Sequence, residues 1–180
     1  MGHPLDRVLL DDVIDQSAPL AERMRAVVDV VWETIGRSAE DEGEGVVSWA
    51  GFYLGPGVPI DDESGRRVAG EDEMLLGPMR PKPACSPIGL HGACGRALRS
   101  GRSLVVTDVK KLGEGYVACD PRDASELVVP VFDEGGRAVA VLDLDSFETD
   151  AFDEADAAAV TRLLSRAGVT LAEPGGVEVV

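Results

Sequence analysis

Two helical stretches near opposite ends of this chain enclose a series of short strand-like segments. Apolar residues recur every three or four positions over residues 18–37 and again over 153–171, the spacing of amphipathic helices. The segments between them are rich in β-branched and aromatic residues and are separated by glycine and proline, which is typical of antiparallel strands. This order predicts an α+β fold in which helices pack on one face of a central antiparallel sheet.

The other face of that sheet needs a cover, and loops that carry cysteines can supply it over a pocket. A short helix is predicted over residues 92–100, ended by Gly101, and the last two strands form a hairpin around residues 133–136. The predicted strands are 46–54, 74–78, 104–109, 127–132 and 137–146.

Residues 1–180 are long enough for one domain with a hydrophobic core. We expect N-terminal helices within residues 8–37, the first of them short and covering 8–14. The glycine- and proline-rich stretch 55–73 is predicted to be an insertion, either a long hairpin or a mobile flap. Residues 173–180 are predicted to form a flexible tail.

The charge balance excludes several classes of function. The chain has 33 acidic and 17 basic side chains and a net charge of −16. This balance argues against binding of nucleic acids and anionic membranes, because both require clustered Lys and Arg. The sequence contains no leader-like or membrane-spanning apolar segment, and three cysteines do not make a disulfide framework. We expect a cytoplasmic protein.

The three cysteines lie in Gly-, Pro- and Asp-rich surroundings and not in apolar runs, which indicates reactive thiols. Cys85 follows Lys-Pro-Ala, Cys94 opens the predicted short helix, and Cys119 precedes an aspartate. At a helix N-terminus Cys94 would have a lowered pKa or would lie beside a substrate carboxylate. A zinc site formed by the three cysteines and His91 is a weaker interpretation, since their spacing lacks a Cys-x2-Cys knuckle.

Carboxylates interrupt the apolar pattern of the last predicted strand. Because side chains alternate along a strand, Asp143 and Asp145 share one face about 6.6 Å apart. Either the strand emerges into solvent there, or the pair forms a pocket floor with Glu126 of the neighbouring strand. In a pocket one acid keeps its proton near neutral pH, and it can bind an ammonium group or protonate a developing oxyanion.

Trp49 and Tyr53 share a face of the first predicted strand, with Gly51 between them. The missing side chain at Gly51 leaves an aromatic recess suited to an apolar or sulfur-bearing group, because thioethers make favourable contacts with ring edges. The alternative is that both rings belong to the core and pack on the long helix.

Eight short motifs follow one another along roughly residues 18–171. They are Trp-Ala-Gly-Phe-Tyr-Leu (49–54), Leu-Leu-Gly-Pro (75–78), Lys-Pro-Ala-Cys (82–85), Gly-Ala-Cys-Gly (92–95), Ala-Cys-Asp (118–120), Ser-Glu-Leu-Val-Val-Pro (125–130), Val-Leu-Asp-Leu-Asp-Ser (141–146) and Phe-Asp-Glu-Ala-Asp (152–156). In this order, and with all three cysteines included, they resemble the free methionine-(R)-sulfoxide reductase family, which is built on a GAF domain.

The resemblance implies an oxidoreductase that reduces free methionine-(R)-sulfoxide to methionine without a metal or organic cofactor. It implies that Cys119 attacks the sulfoxide sulfur and becomes a sulfenic acid, with Cys94 as the rival nucleophile. Cys85 would then form a disulfide with Cys119, and a thioredoxin-type dithiol would reduce that disulfide.

By the same resemblance, Glu126 and Asp143 act in catalysis and, with Asp145, bind substrate in an acidic pocket, while Trp49 and Tyr53 form its aromatic wall. The family often has histidine where this chain has Tyr116. A homodimer is compatible with such a fold. The alternative function is a non-catalytic GAF sensor that binds a small ligand, although three loop cysteines are not needed for sensing.

Overall fold

The computed structural model describes residues 3–8, 14–36, 45–62, 65–113, 116 and 119–180. Within these residues the helices are α1 (Leu20–Ile35), α2 (Ala93–Ser100) and α3 (Glu154–Arg166). The strands are β1 (Trp49–Leu54), β2 (Pro59–Asp62), β3 (Gly65–Val68), β4 (Glu73–Arg80), β5 (Ile88–Gly89), β6 (Ser103–Val106), β7 (Ser125–Phe132), β8 (Ala138–Ser146) and β9 (Val177–Val179).

Seven of the described strands form one sheet in the order β5-β4-β1-β8-β7-β6-β9. All neighbours are antiparallel except β6 and β9, which are parallel, so the sheet is mixed at this edge. The predicted α+β fold with a central, mainly antiparallel sheet is confirmed. The hairpin of β7 and β8 lies beside β1 at the centre, and this brings residues from distant parts of the sequence together.

The two faces of the sheet carry separate apolar clusters. Phe52, Leu142 and Leu144 point to one face and pack with α1 and α3, as predicted. Val128 and Val141 point to the other face and pack with residues of α2. The second face is thus covered by α2 as well as by loops, because polar loops alone do not bury the valines of β7 and β8.

The boundaries of α3 follow from its capping residues. Asp153 accepts hydrogen bonds from the N–H groups of Ala155 and Asp156 at 2.7 and 3.1 Å, and Asp156 accepts one from the Asp153 N–H at 2.8 Å. Gly168 adopts a φ of +62°, a left-handed conformation that ends helices. The helix therefore stops before the predicted end at residue 171.

Two less regular segments can be compared with their predicted description. The stretch 55–73 contains the two-stranded hairpin of β2 and β3, which agrees with the long hairpin that was one of its two predicted descriptions. Residues 173–180, expected to be a flexible tail, end in β9, and Val180 N–H donates to the Val105 carbonyl at 2.9 Å. Pairing there satisfies backbone groups that would otherwise be exposed along the edge of β6. The predicted helix at 8–14 lies mostly outside the described residues.

Every helix in the described part of the chain is too short or too polar to cross a lipid bilayer.

Candidate active site

The register of the three central strands brings the predicted acids together. Asp143 of β8 lies opposite Gly51 of β1, and Asp145 lies opposite both Trp49 of β1 and Glu126 of β7. These side chains share the face covered by α2. Oxygen atoms of the three carboxylates lie within 4.8 Å of one another, and each residue is at most 8% exposed. The strand does not emerge into solvent at these residues, and the interpretation that it does is wrong.

The three acids lie at the base of a cavity of about 170 Å³. An engineered cavity of about 150 Å³ in another protein admits benzene, so this cavity suits a ligand of small-molecule size. Its walls come from the sheet, from the N-terminus of α2 and from the loops that carry Cys85 and Cys119. The lining includes all the site residues predicted from the sequence, Trp49, Tyr53, Cys85, Cys94, Cys119, Glu126, Asp143 and Asp145.

Trp49 and Tyr53 form one wall of this cavity and do not pack on α1. Their ring centroids are 6.0 Å apart with planes tilted by 34°. The Trp49 Nε1–H donates to the Lys82 carbonyl at 2.8 Å, and the Tyr53 hydroxyl donates to the Cys85 carbonyl at 2.9 Å. A Cβ at Gly51 would overlap the indole of Trp49, so glycine is required there. The rings thus hold the Cys85 loop against the sheet.

Cys94 is buried, and its thiol donates to Asp143 Oδ2 at 3.2 Å. Burial and the carboxylates of Asp143 and Glu126 raise the pKa of Cys94 well above its ordinary value. The expectation that the N-terminus of α2 lowers this pKa is therefore wrong. Desolvation and nearby negative charge outweigh the helix dipole, whose effect is small by comparison.

Cys85 and Cys119 are both exposed at the opening of the cavity and lie against each other. The Cys119 thiol interacts with Cys85 and with the Tyr53 hydroxyl. Although the Cys119 side chain is exposed, the surrounding protein desolvates its sulfur, and this together with the Cys85 contact raises the pKa of Cys119 to about 11. The free site therefore holds the Cys119 sulfur as a thiol near neutral pH.

The structure does not assemble the zinc site that was considered. Among the described residues, the group of three or more metal-type donors that converges is Glu126, Asp143 and Asp145, and it contains no sulfur or imidazole. His91 lines the cavity, whereas the Cys94 thiol is directed at Asp143.

Burial keeps protons on the acid cluster. Desolvation, and to a smaller extent repulsion from the Asp143 carboxylate, raises the pKa of Glu126 to about 9. Desolvation raises the pKa of Asp143 to about 7, and desolvation with the charges of Asp143 and Glu126 raises that of Asp145 well above its usual range. At neutral pH the cavity floor therefore offers hydrogen-bond donors and a source of protons.

Two further residues belong to the site and were not predicted as part of it. Asp123 and Tyr116 line the cavity. Within the described residues, three buried oxygens there have no hydrogen-bond partner: Tyr116 OH, Asp123 Oδ1 and Asp143 Oδ1. The sequence signal for Asp123 was its place in the loop that joins Cys119 to β7. Unpartnered buried polar atoms around one cavity are typical of a ligand site.

We expect the free energy of unfolding to fall as the pH rises from about 5 to 9. Glu126 keeps its proton in the folded chain up to about pH 9, whereas an unperturbed glutamate loses it near 4.5. In that window the folded state binds the extra proton, so raising the pH favours unfolding, by an amount on the order of a few kcal/mol. Denaturant titrations at several pH values measure this, and Glu126→Gln should flatten the slope. An unchanged slope in that variant would contradict the shift.

The match to known proteins covers most of the chain. Residues 17–172 match the family model described as GAF domain. The free methionine-R-sulfoxide reductase of Escherichia coli is 31% identical over 128 residues, which cover 70% of this chain and 67% of that protein. The protein of the same name from Saccharomyces cerevisiae is 31% identical, but this chain spans only 62% of its length.

A solved structure resembles this fold closely. The X-ray structure of free methionine-R-sulfoxide reductase from Neisseria meningitidis, in complex with its substrate, superposes with a TM-score of 0.66 at 29% identity. The alignment covers 92% of this chain and 83% of that one. Motifs, fold and relatives agree: this chain belongs to the GAF-domain family and, within it, to the family of the free methionine-R-sulfoxide reductases.

Proposed function

We propose that this protein reduces free methionine-(R)-sulfoxide to methionine. The observation that carries the proposal is the contact between two exposed thiols, Cys85 and Cys119, at the opening of a cavity with a floor of protonated acids. The names of the relatives supply the substrate. The residues supply what the reaction needs, namely a sulfur nucleophile, a second thiol and a proton donor.

In the first step the sulfur of Cys119 attacks the sulfoxide sulfur. Glu126 donates a proton to the sulfoxide oxygen and regains one from the Cys119 thiol, so that the acid cluster ends unchanged. The oxygen is transferred to Cys119, methionine leaves as the thioether, and Cys119 becomes a sulfenic acid. Cys119 is favoured over Cys94 as the nucleophile because the Cys94 thiol is buried and donates a hydrogen bond to Asp143. Its pKa is raised well above the ordinary value, which opposes formation of a thiolate.

In the second step the Cys85 thiol attacks the sulfenic sulfur of Cys119. A disulfide forms and water is released, which requires no further oxidant. A thioredoxin-type dithiol then reduces the disulfide by exchange and is itself oxidised. Because both cysteines are exposed, an external thiolate has access to either sulfur.

The cavity supports selection of the small, free amino acid. Trp49 and Tyr53 offer ring surface to the methyl-sulfur end of the substrate, because aromatic edges favour sulfur. A cavity of about 170 Å³ matches a single small molecule such as a free amino acid.

The direct experiment uses the fully reduced protein without added reductant. Incubation with each epimer of free methionine sulfoxide should release about one equivalent of methionine from the R epimer, with a Cys85–Cys119 disulfide detected by peptide mass spectrometry. Addition of a dithiol should restore turnover. Inertness toward both epimers would refute the activity and would favour a ligand-binding sensor. A peptide carrying methionine sulfoxide serves as the control and should not react.

A further inference from the structure

We propose that Asp123 is a specificity-determining residue that binds the α-ammonium group of the free amino acid. This inference rests on the proposed function, because it assigns one part of that substrate to one side chain. It goes beyond the three acids of β7 and β8, since Asp123 comes from the loop that carries Cys119.

One carboxylate oxygen of Asp123 is hydrogen-bonded within the loop, and the other is left for a ligand. The side chain is only 7% exposed and lines the cavity. Its Oδ2 accepts a hydrogen bond from the Asp120 N–H at 3.2 Å, which fixes the carboxylate. Its Oδ1 is buried and finds no hydrogen-bond partner among the described residues. A buried carboxylate oxygen without a partner is costly unless a ligand fills the place.

The described lining of the cavity provides no cation to pair with this oxygen, and the nearby Arg122 and Lys82 bind Asp120 instead. None of the described lining residues is a lysine or an arginine. An α-ammonium group is a compact cation with three donors, and it suits an acceptor-only carboxylate. Because a methionine residue within a polypeptide has an amide in place of the ammonium, this contact also discriminates the free amino acid.

Asp123 is also the acid in the cavity best suited to carry charge. Desolvation raises its pKa only to about 6, because the Asp120 N–H, Arg122 and Lys82 favour the ionised form. The charged groups that face it are Asp120, Arg122 and Lys82 on the loops and Asp143 and Asp145 on β8. Near neutral pH Asp123 is therefore largely an anion, whereas Glu126 keeps its proton.

The test replaces Asp123 with asparagine and compares two substrates. Asp123→Asn keeps an acceptor for the Asp120 N–H but removes the charge. For methionine-(R)-sulfoxide we expect KM to rise about 10- to 100-fold, the range for losing a hydrogen bond to a charged group, with kcat changed far less. For 4-(methylsulfinyl)butanoate, which lacks the ammonium, wild type and variant should have equal KM. The exposed Asp72→Asn is the control for net charge.

An equal rise in KM for both substrates, or no rise for either, would overturn the assignment. A second measurement separates this inference from the proposed function. Calorimetric titration with methionine and with 4-(methylthio)butanoate compares binding of the two thioethers without any reaction. If the wild type reduces no sulfoxide but prefers methionine, and Asp123→Asn loses that preference, the proposed function fails and this inference stands. If the wild type shows no preference for methionine, the inference fails even where reduction occurs.

Discussion

Replacing Cys119 by serine is expected to abolish methionine formation, with kcat lowered by roughly 10⁴-fold or more. A serine hydroxyl is a much weaker nucleophile toward sulfur than a thiolate, and it forms no sulfenic acid. The fold should be retained, because the Cys119 side chain is exposed. Methionine release in the presence of a dithiol measures the effect, and circular dichroism checks the fold.

The other two cysteines provide matched variants. In Cys94→Ser the hydroxyl still donates to Asp143, as the thiol does at 3.2 Å, so most of the activity should remain. In Cys85→Ser, without reductant, one equivalent of methionine should form and Cys119 should persist as a sulfenic acid that a 1,3-diketone traps. If Cys119→Ser still releases one equivalent and Cys94→Ser releases none, the nucleophile is Cys94.

The second large effect is expected at Glu126. Glu126→Gln keeps the shape and the hydrogen-bonding capacity of the side chain but cannot transfer a proton, so kcat should fall about 10²- to 10⁴-fold. In the wild type the pKa of Glu126 is raised to about 9, and kcat/KM should therefore fall as the pH rises above that value, because the acid loses its proton. The variant should show no break there. Steady-state kinetics across pH measure both effects.

A matched control lies on the same hairpin. Glu134 is exposed in the turn between β7 and β8 and is not among the described residues that line the cavity, so Glu134→Gln should leave kcat unchanged. Wild-type kcat in Glu126→Gln would mean that another acid, with Asp145 next in line, protonates the sulfoxide oxygen. The pH above which kcat/KM falls would then stay the same in that variant.

Much of the architecture could be predicted from local patterns. Apolar residues recur every 3.6 positions in α1 and α3 and alternate along β8, because those residues face the core. Such a period can be recognised within one stretch of sequence. Alternation alone also assigned Asp143 and Asp145 to one face. The eight motifs then identified the GAF fold, and the family comparisons confirmed it.

Local patterns left open which residues meet. Strand register sets Glu126 opposite Asp145 and Gly51 opposite Asp143, and only this pairing decides between solvent and a pocket floor. The pairing of β9 with β6 depends on the edge of β6 that the rest of the sheet leaves unpaired. The three residues of β9 alone do not predict that pairing.

The chemical state of each site residue was likewise decided by the tertiary structure. Cys94 looked activated from its helix position, yet burial beside Asp143 keeps it protonated. Asp123 lies outside the eight sequence motifs. It was recognised as a site residue because its buried Oδ1 in the cavity wall has no hydrogen-bond partner among the described residues. A pKa depends on desolvation and on charges brought close by folding, and both come from residues far apart in the chain. The sequence pattern therefore predicts which face of a strand or helix a side chain occupies. The assembled cavity determines the pKa of that side chain and so its protonation state.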